Sequence, residues 1–147
     1  MKKIMFVCHG NICRSPMAEF IFKKMLAERG IEGSFEVSSC ATSSEEIGFN
    51  GVGHPVYPPA RRELQKHGIA CDGHRAHQIT QAEYDRCDRV YYMDRSNYRY
   101  LTRLLKDTKK CFPLLDRDVA DPWYTGDFSQ TWQDILEGCG KIMEEFA

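Results

Sequence analysis

Cys8, Arg14 and Ser15 fall within the stretch "CHGNICRS", between a run of apolar residues and a segment whose apolar positions recur at helical spacing. A turn from a strand into a helix N-terminus presents unpaired backbone N–H groups, and the helix adds partial positive charge, so an anion is stabilised there. Arg14 adds a planar fork of donors able to hold two oxygens of a phosphate-like oxyanion. Cys8 would face the same concavity, where a helix N-terminus and a guanidinium favour a thiolate, and the Ser15 hydroxyl can donate to it. Thiolate population alone is a weak reason for such a loop. A thiol whose pKa falls from about 8.5 to about 5 gains roughly 30-fold in thiolate at neutral pH but loses a similar factor in nucleophilicity. The stronger advantage is to bind a tetrahedral anion, hold phosphorus in line with sulfur and stabilise the charge of the transition state.

Other chemistries compete for these residues. A nucleotide-binding loop of the G-x-x-x-x-G-K type is excluded, because the stretch has a single glycine, Gly10, and no lysine. Cys8 and Cys13 at C-x4-C could ligate zinc, but no second close cysteine pair accompanies them. Cys71, His74 and His77 in "CDGHRAH" have ligand-like spacing, weighed against an ordinary surface loop, which is the favoured reading.

These side chains need a scaffold, and the chain has the length for one. Its 147 residues suit a single domain, 1–147, with enough core to need no disulfide or metal staple. The balance of 20 Lys+Arg against 21 Asp+Glu gives no field that would draw nucleic acid or a membrane, so any anion site must be local. The N-terminal apolar run is too short for a signal peptide or a membrane span, and seven scattered cysteines suit reduced thiols in the cytoplasm.

The run from Ile4 to Val7 reads as a strand covered on both faces. From Pro16 the period changes: Met17, Ala18, Ile21, Phe22, Met25 and Leu26 form one helical stripe that stops at Gly30. Further strands are expected over 35–39, 89–93 and, interrupted by Pro113, 110–115. Helices are expected over 60–68, 80–87 and 95–106, with a last one carrying the stripe Trp132, Ile135, Leu136, Cys139, Met143 and Phe146. Long loops fill 42–59 and 116–128. This alternation predicts an α/β fold with parallel strands and helices on both faces, in which ligands bind beyond the carboxyl ends of the strands, where Cys8 stands.

Cys8, five residues, Arg14 and Ser15 make up C-x5-R-S, the signature of cysteine-dependent phosphatases. With the filling "HGNIC", the following "RSP", the N-terminal position and "DPWY" at 121–124, the chain resembles the low-molecular-weight protein tyrosine phosphatase family over nearly all its length. The resemblance implies a three-layer α/β/α fold on a four-stranded parallel sheet of order 2-1-3-4, with the phosphate loop between strand 1 and helix 1. It implies that Cys8 attacks phosphorus, that Arg14 clamps the phosphoryl oxygens and that Asp121 is the general acid and base, ahead of the nearby Asp116 and Asp118. His9, Gly10, Asn11, Ile12, Cys13 and Ser15 would then form the phosphate-binding loop, and Trp123 and Tyr124 one wall of a phosphotyrosine slot. Asn11, Ser15, Ser39 and His67 match positions that brace that loop; read without the resemblance, Ser39 is a strand-end residue and His67 a helix-end residue. Cys13 resembles the family's second loop cysteine, a redox partner of the nucleophile, against the alternative of a small buried filler.

No metal or cofactor is implied. The partners implied are phosphotyrosine proteins as substrates and inorganic phosphate as product, with no nucleic acid or membrane, and the chain is expected as a monomer or a weak dimer. Two departures stand out. His9 adds a titratable group at the mouth, and Glu45 takes a place where relatives often carry an aromatic wall, making this side of the cleft acidic, a bias against acidic phosphopeptides or toward basic ones that fixes no peptide preference. Arsenate reductases share the fold but relay oxidation through cysteines after the third strand, and "YYMDRSNYRYL" has none. Protein-arginine phosphatases favour threonine where this chain has Ile12. A catalytically idle phosphate-binding module would need neither the thiol nor the distant acid.

Overall fold

The computed structural model describes residues 1–48 and 52–146. β1 (Lys2–Cys8) leads into α1 (Arg14–Glu28), and a 3-10 turn at Glu32–Ser34 precedes β2 (Phe35–Ala41). There follow α2 (Pro58–Lys66), α3 (Gln81–Arg86), β3 (Arg89–Tyr92), α4 (Arg95–Leu104), β4 (Cys111–Pro113), α5 (Pro122–Thr125) and α6 (Phe128–Phe146). The sheet is parallel with the order β2-β1-β3-β4. The central strand β1 pairs Val7 with Cys40 on one side and with Tyr92 on the other, so the end of β1 lies well inside the sheet.

The apolar run of β1 follows from cover on both faces, since successive side chains of a strand point opposite ways. Ile4, Phe6 and Cys8 enter a core with α1, α2 and α6, through Met17, Phe22, Leu64 and Ile135. Met5 and Val7 enter a second core with Tyr84 of α3 and Leu101 of α4. Both layers of helices are thus needed to dry one strand. The stripe of α1 packs inward, and the helix ends at Gly30, whose φ of 70° lets the Ile31 amide turn back to the Leu26 carbonyl.

The strand and helix boundaries differ from the sequence expectation by one or two residues; β2, for example, runs on to Ala41. β4 spans 111–113 and not 110–115; it is an edge strand in which the Leu114 amide still donates to the Tyr92 carbonyl at 2.9 Å, so Pro113 falls where its missing N–H faces the open edge. α2 begins at Pro58, two prolines being well suited to a first helical turn, whose N–H groups have no partner within the helix. The loop expected over 116–128 contains the short helix α5, capped by Asp121. One extension was not expected: Ala41 forms a parallel bridge with Gln78, which docks the 76–79 segment beside the carboxyl end of β2.

Candidate active site

The loop from Cys8 to Arg14 is built around Asn11. Its φ of 59° lies in the left-handed region, which asparagine tolerates better than most residues, and its side chain is fully buried. Asn11 Nδ2 donates to Ser15 Oγ at 2.8 Å and to Ser39 Oγ at 3.0 Å, while Oδ1 accepts from the His77 amide at 3.3 Å. Ser39 in turn donates to Glu19 Oε1 at 2.6 Å, and Glu19 is held by Lys23 one turn along α1. Ser39 therefore presents its lone pairs to Asn11. With Ser15 Oγ already accepting from Asn11, its own proton can point to Cys8 Sγ, 3.0 Å away.

Cys8 Sγ also accepts from the Asn11 amide at 3.2 Å. The amides of Gly10, Ile12, Cys13 and Arg14 make no hydrogen bond among the described residues. Four donors thus remain at the helix N-terminus, a setting that favours an anion. The outer side of the loop is fastened by the Tyr57 amide to the Ile12 carbonyl at 2.8 Å, and by Thr42 and Ser43 to the carbonyls of Cys8 and His9.

Arg14 is buried and fixed at three points. Nη1 donates to Asp94 Oδ2 and to the Val119 carbonyl, both at 2.8 Å, and Nη2 lies 3.4 Å from Asp121 Oδ2. Burial alone would lower its proton affinity, but Cys8, Asp121 and Asp94 outweigh it and hold the guanidinium above its ordinary value. Asp121 caps α5 by accepting from the Trp123 amide at 3.0 Å. Its loop is anchored where the Val119 amide meets the Met93 carbonyl and where Arg117 meets Asp134 on α6 at 3.1 Å. The rivals diverge: Asp118 accepts from the Arg95 amide and Asp116 pairs with Arg117.

Cys8, Arg14, Asp121, Trp123 and Tyr124 line one cleft of about 410 Å³ with His9, Gly10, Ile12, Cys13, Glu45 and Glu46. Buried Cys8 and Arg14 form its base, while Tyr124, 84% exposed, stands at its rim. Trp123 is steadied by Tyr57, whose ring lies 4.8 Å away and also contacts Phe128. At the mouth Glu45 meets His9 at 3.0 Å and Glu46 meets His54 at 2.6 Å. Burial pushes the Cys13 thiol up, and the neighbouring Cys8 adds to the effect.

His67, grouped by the resemblance with the bracing residues, makes no hydrogen bond, ion pair or ring contact with the loop among the described residues, against that expectation. It ends α2, stacks on Trp132 with ring centroids 3.6 Å apart and contacts Glu63 at 3.2 Å. The histidine at the loop is His74, whose Nε2 lies 2.9 Å from the Asn11 carbonyl. A carbonyl only accepts, so Nε2 carries the proton. Burial lowers the proton affinity of His74 despite that hydrogen bond. His77 pairs instead with Glu83, and the described residues contain no cluster suited to a metal. Sequence reasoning also missed Asp94, Glu19 and Tyr57. Asp94 had a signal, since "DRSN" at the end of β3 reads as a helix start; Tyr57 had none.

A buried thiol beneath a ring of free amides, opposite an arginine and a carboxylate at the carboxyl end of a parallel sheet, is the architecture of the cysteine-dependent phosphatases as a class. The chain belongs to one family of them: residues 3–147 match the sequence model described as low molecular weight phosphotyrosine protein phosphatase. It is 36% identical to the low molecular weight protein-tyrosine-phosphatase YfkJ of Bacillus subtilis, over 97% of this chain and 94% of that protein. It is 34% identical to the human low molecular weight phosphotyrosine protein phosphatase, over 98% and 95% respectively. The crystal structure of YfkJ superposes with a TM-score of 0.91 at 34% identity, covering 99% of this chain and 94% of the other. That of SP-PTP from Streptococcus pyogenes gives 0.89 at 32%, covering 100% and 94%.

Proposed function

We propose that the protein hydrolyses phosphotyrosine in proteins, and aryl phosphates generally, through a phosphocysteine. The observation that carries this reading is the convergence of Cys8, Arg14 and Asp121 on one cleft beside four unpartnered amides. The free amides and Arg14 take the three non-bridging phosphoryl oxygens and stabilise their charge as it spreads in the transition state. The Cys8 thiolate attacks phosphorus; the S–P bond forms as the P–O bond to the phenol breaks, and Asp121 gives its proton to the departing oxygen. Asp121 then takes a proton from water, whose oxygen attacks phosphorus. The S–P bond breaks, the thiolate returns with the hydrogen bonds from Ser15 and the Asn11 amide, and inorganic phosphate leaves.

Trp123 and Tyr124 raise one wall above the buried sulfur, a depth that suits an aryl ring and holds phosphoserine short of it. Cys13, in the same cleft and protonated, suits the reversible protection of an oxidised nucleophile. With hydrogen peroxide as oxidant, a Cys8 sulfenic acid and the Cys13 thiol would give a disulfide and water. A cytoplasmic monomer fits the seven free, buried cysteines. Among the described residues no helix is long and apolar enough to cross a membrane.

The test is turnover of p-nitrophenyl phosphate and of phosphotyrosine, phosphoserine and phosphoarginine peptides. Expected are activity on the aryl esters alone, none in Cys8→Ser and a loss of about 100-fold to 10,000-fold in Asp121→Asn. Full activity of Cys8→Ser would overturn the mechanism, and a preference for phosphoarginine would reassign the substrate.

A further inference from the structure

Ile12, Glu46 and Trp123 line the catalytic cleft on one side and a second, larger cleft of about 810 Å³ on the other. The walls of this groove carry Arg61, Arg62 and Arg75 above Pro55 and Tyr57. Its two carboxylates are already engaged, Asp72 with Arg61 at 3.2 Å and Glu46 with His54 at 2.6 Å. Arg75 reaches only the Gly53 carbonyl, at 3.5 Å, and Arg62 makes no hydrogen bond or ion pair among the described residues. Two exposed guanidinium charges are thus left without a counter-charge among the described residues, on a chain whose overall charge is −1. A concave surface lined by one sign of charge attracts the opposite sign, whatever the net charge of the molecule.

We propose that this groove is a specificity subsite that takes acidic residues flanking the phosphotyrosine of the substrate polypeptide. The inference rests on the phosphotyrosine reading above. A phosphotyrosine seated on Cys8 leaves its cleft past Trp123 and Glu46, and the chain on either side of it continues along an extended path at about 3.3 Å per residue. Neighbouring carboxylates then come within reach of Arg62 and Arg75. The Glu45 side of the mouth opposes acidic chains, but its carboxylate already pairs with His9, whereas the groove beyond Trp123 offers free cations. Arg62 and Arg75 touch the flanking chain and not the reacting phosphoryl group, so their contribution belongs in KM and not in kcat.

The experiment compares phosphotyrosine peptides of one length carrying Asp or Glu before the phosphotyrosine, after it, or on both sides, against the same peptides with Asn or Gln. Wild type and the variants Arg62→Gln/Arg75→Gln and Arg62→Glu are measured with each, and p-nitrophenyl phosphate is the control. Wild type is expected to favour an acidic arm by about threefold to tenfold in kcat/KM, through KM, as suits two exposed ion pairs. The advantage should shrink as ionic strength rises from about 0.01 M to about 1 M, where the Debye length falls from roughly 30 to 3 Å. It should vanish in the double variant and reverse in Arg62→Glu, with p-nitrophenyl phosphate turnover unchanged in both. Equal rates for acidic and neutral peptides in wild type, or a preference that survives both variants, would overturn the subsite. Failure of wild type to turn over any aryl phosphate would instead overturn the reading on which it rests.

Discussion

Arg14 shows how much of a reactive site is made by residues that do not themselves react. Asp94 gives one carboxylate oxygen to Arg14 at 2.8 Å and the other to the Asn97 amide, also at 2.8 Å, so it both sets the guanidinium and caps α4. The two roles separate by substitution. Serine at 94 keeps a cap and loses the grip; alanine loses both. Asp94→Ser and Asp94→Ala are expected to lower kcat/KM for p-nitrophenyl phosphate by a similar factor, about 10-fold to 100-fold, because a misplaced clamp costs orientation. In urea denaturation Asp94→Ala should be the less stable by about 1 kcal/mol, the worth of the cap. Equal stability of the two would show that the cap contributes nothing. Cys8, Arg14 and Ser15 were legible because their chemistry is packed into one short turn. Asp94 and His74 reach the loop from 80 and 63 residues away, and spacing within a motif carries no information about such partners. His67 was grouped with the bracing residues by the resemblance; it caps α2, whereas His74 lies in the irregular stretch that follows, and only the tertiary path separates a ring stacked on Trp132 from one bonded to Asn11.

At the scale of elements, two glycines mark where segments approach too closely for a side chain. A Cβ on Gly53 would stand 1.8 Å from the Ala76 carbonyl oxygen, and one on Gly138 would stand 2.4 Å from Leu114 Cγ. The neighbours differ in what they can do. The Ala76 carbonyl belongs to a backbone segment tied to His54 and, through the His77 carbonyl, to Ala41, so Gly53→Ala must push that segment aside. Leu114 is a side chain with rotamers to use, and alanine in α6 gains about 1 kcal/mol of helix propensity over glycine. Gly53→Ala is therefore expected to cost about 1–3 kcal/mol in urea denaturation, as overpacking does, and to loosen His74 from the loop with a loss of activity. Gly138→Ala should cost clearly less and leave kcat/KM unchanged; the reverse order would show that the 53–76 contact yields more readily than its backbone geometry implies. The strand and helix alternation was visible in the sequence because burial on one or both faces imprints a period. The docking of 76–79 beside β2 left no such imprint, as it is a single bridge within an irregular stretch.

For the whole molecule, the loop network is a point at which stability depends on pH. Asn11 joins α1, through Ser15, to β2, through Ser39, and to the 74–77 segment, through His74 and the His77 amide. Opening that junction separates both sides of the site, so the protonation of His74 bears on global stability. Burial holds the folded-state proton affinity of His74 below its ordinary value of 6.5, against the hydrogen bond to Asn11 and the charge of Glu19, which favour the proton. The unfolded chain consequently binds a proton in a pH range where the native chain does not. Unfolding stability rises with pH wherever the unfolded state binds more protons. The contribution of His74 is therefore fully present above about pH 6.5 and is lost as pH falls from there toward its lower folded-state value. One differential proton sets a ceiling of about 1.4 kcal/mol per pH unit on the slope. Glutamine at 74 keeps an N–H donor for the Asn11 carbonyl but has no proton to gain. Urea midpoints of wild type and His74→Gln, measured from pH 8 down to about pH 5, should run parallel above pH 6.5 and converge below it, the wild type falling faster. If the two curves keep a constant separation through that window, His74 is not the group that couples the loop to pH, and the network is held by its neutral hydrogen bonds alone.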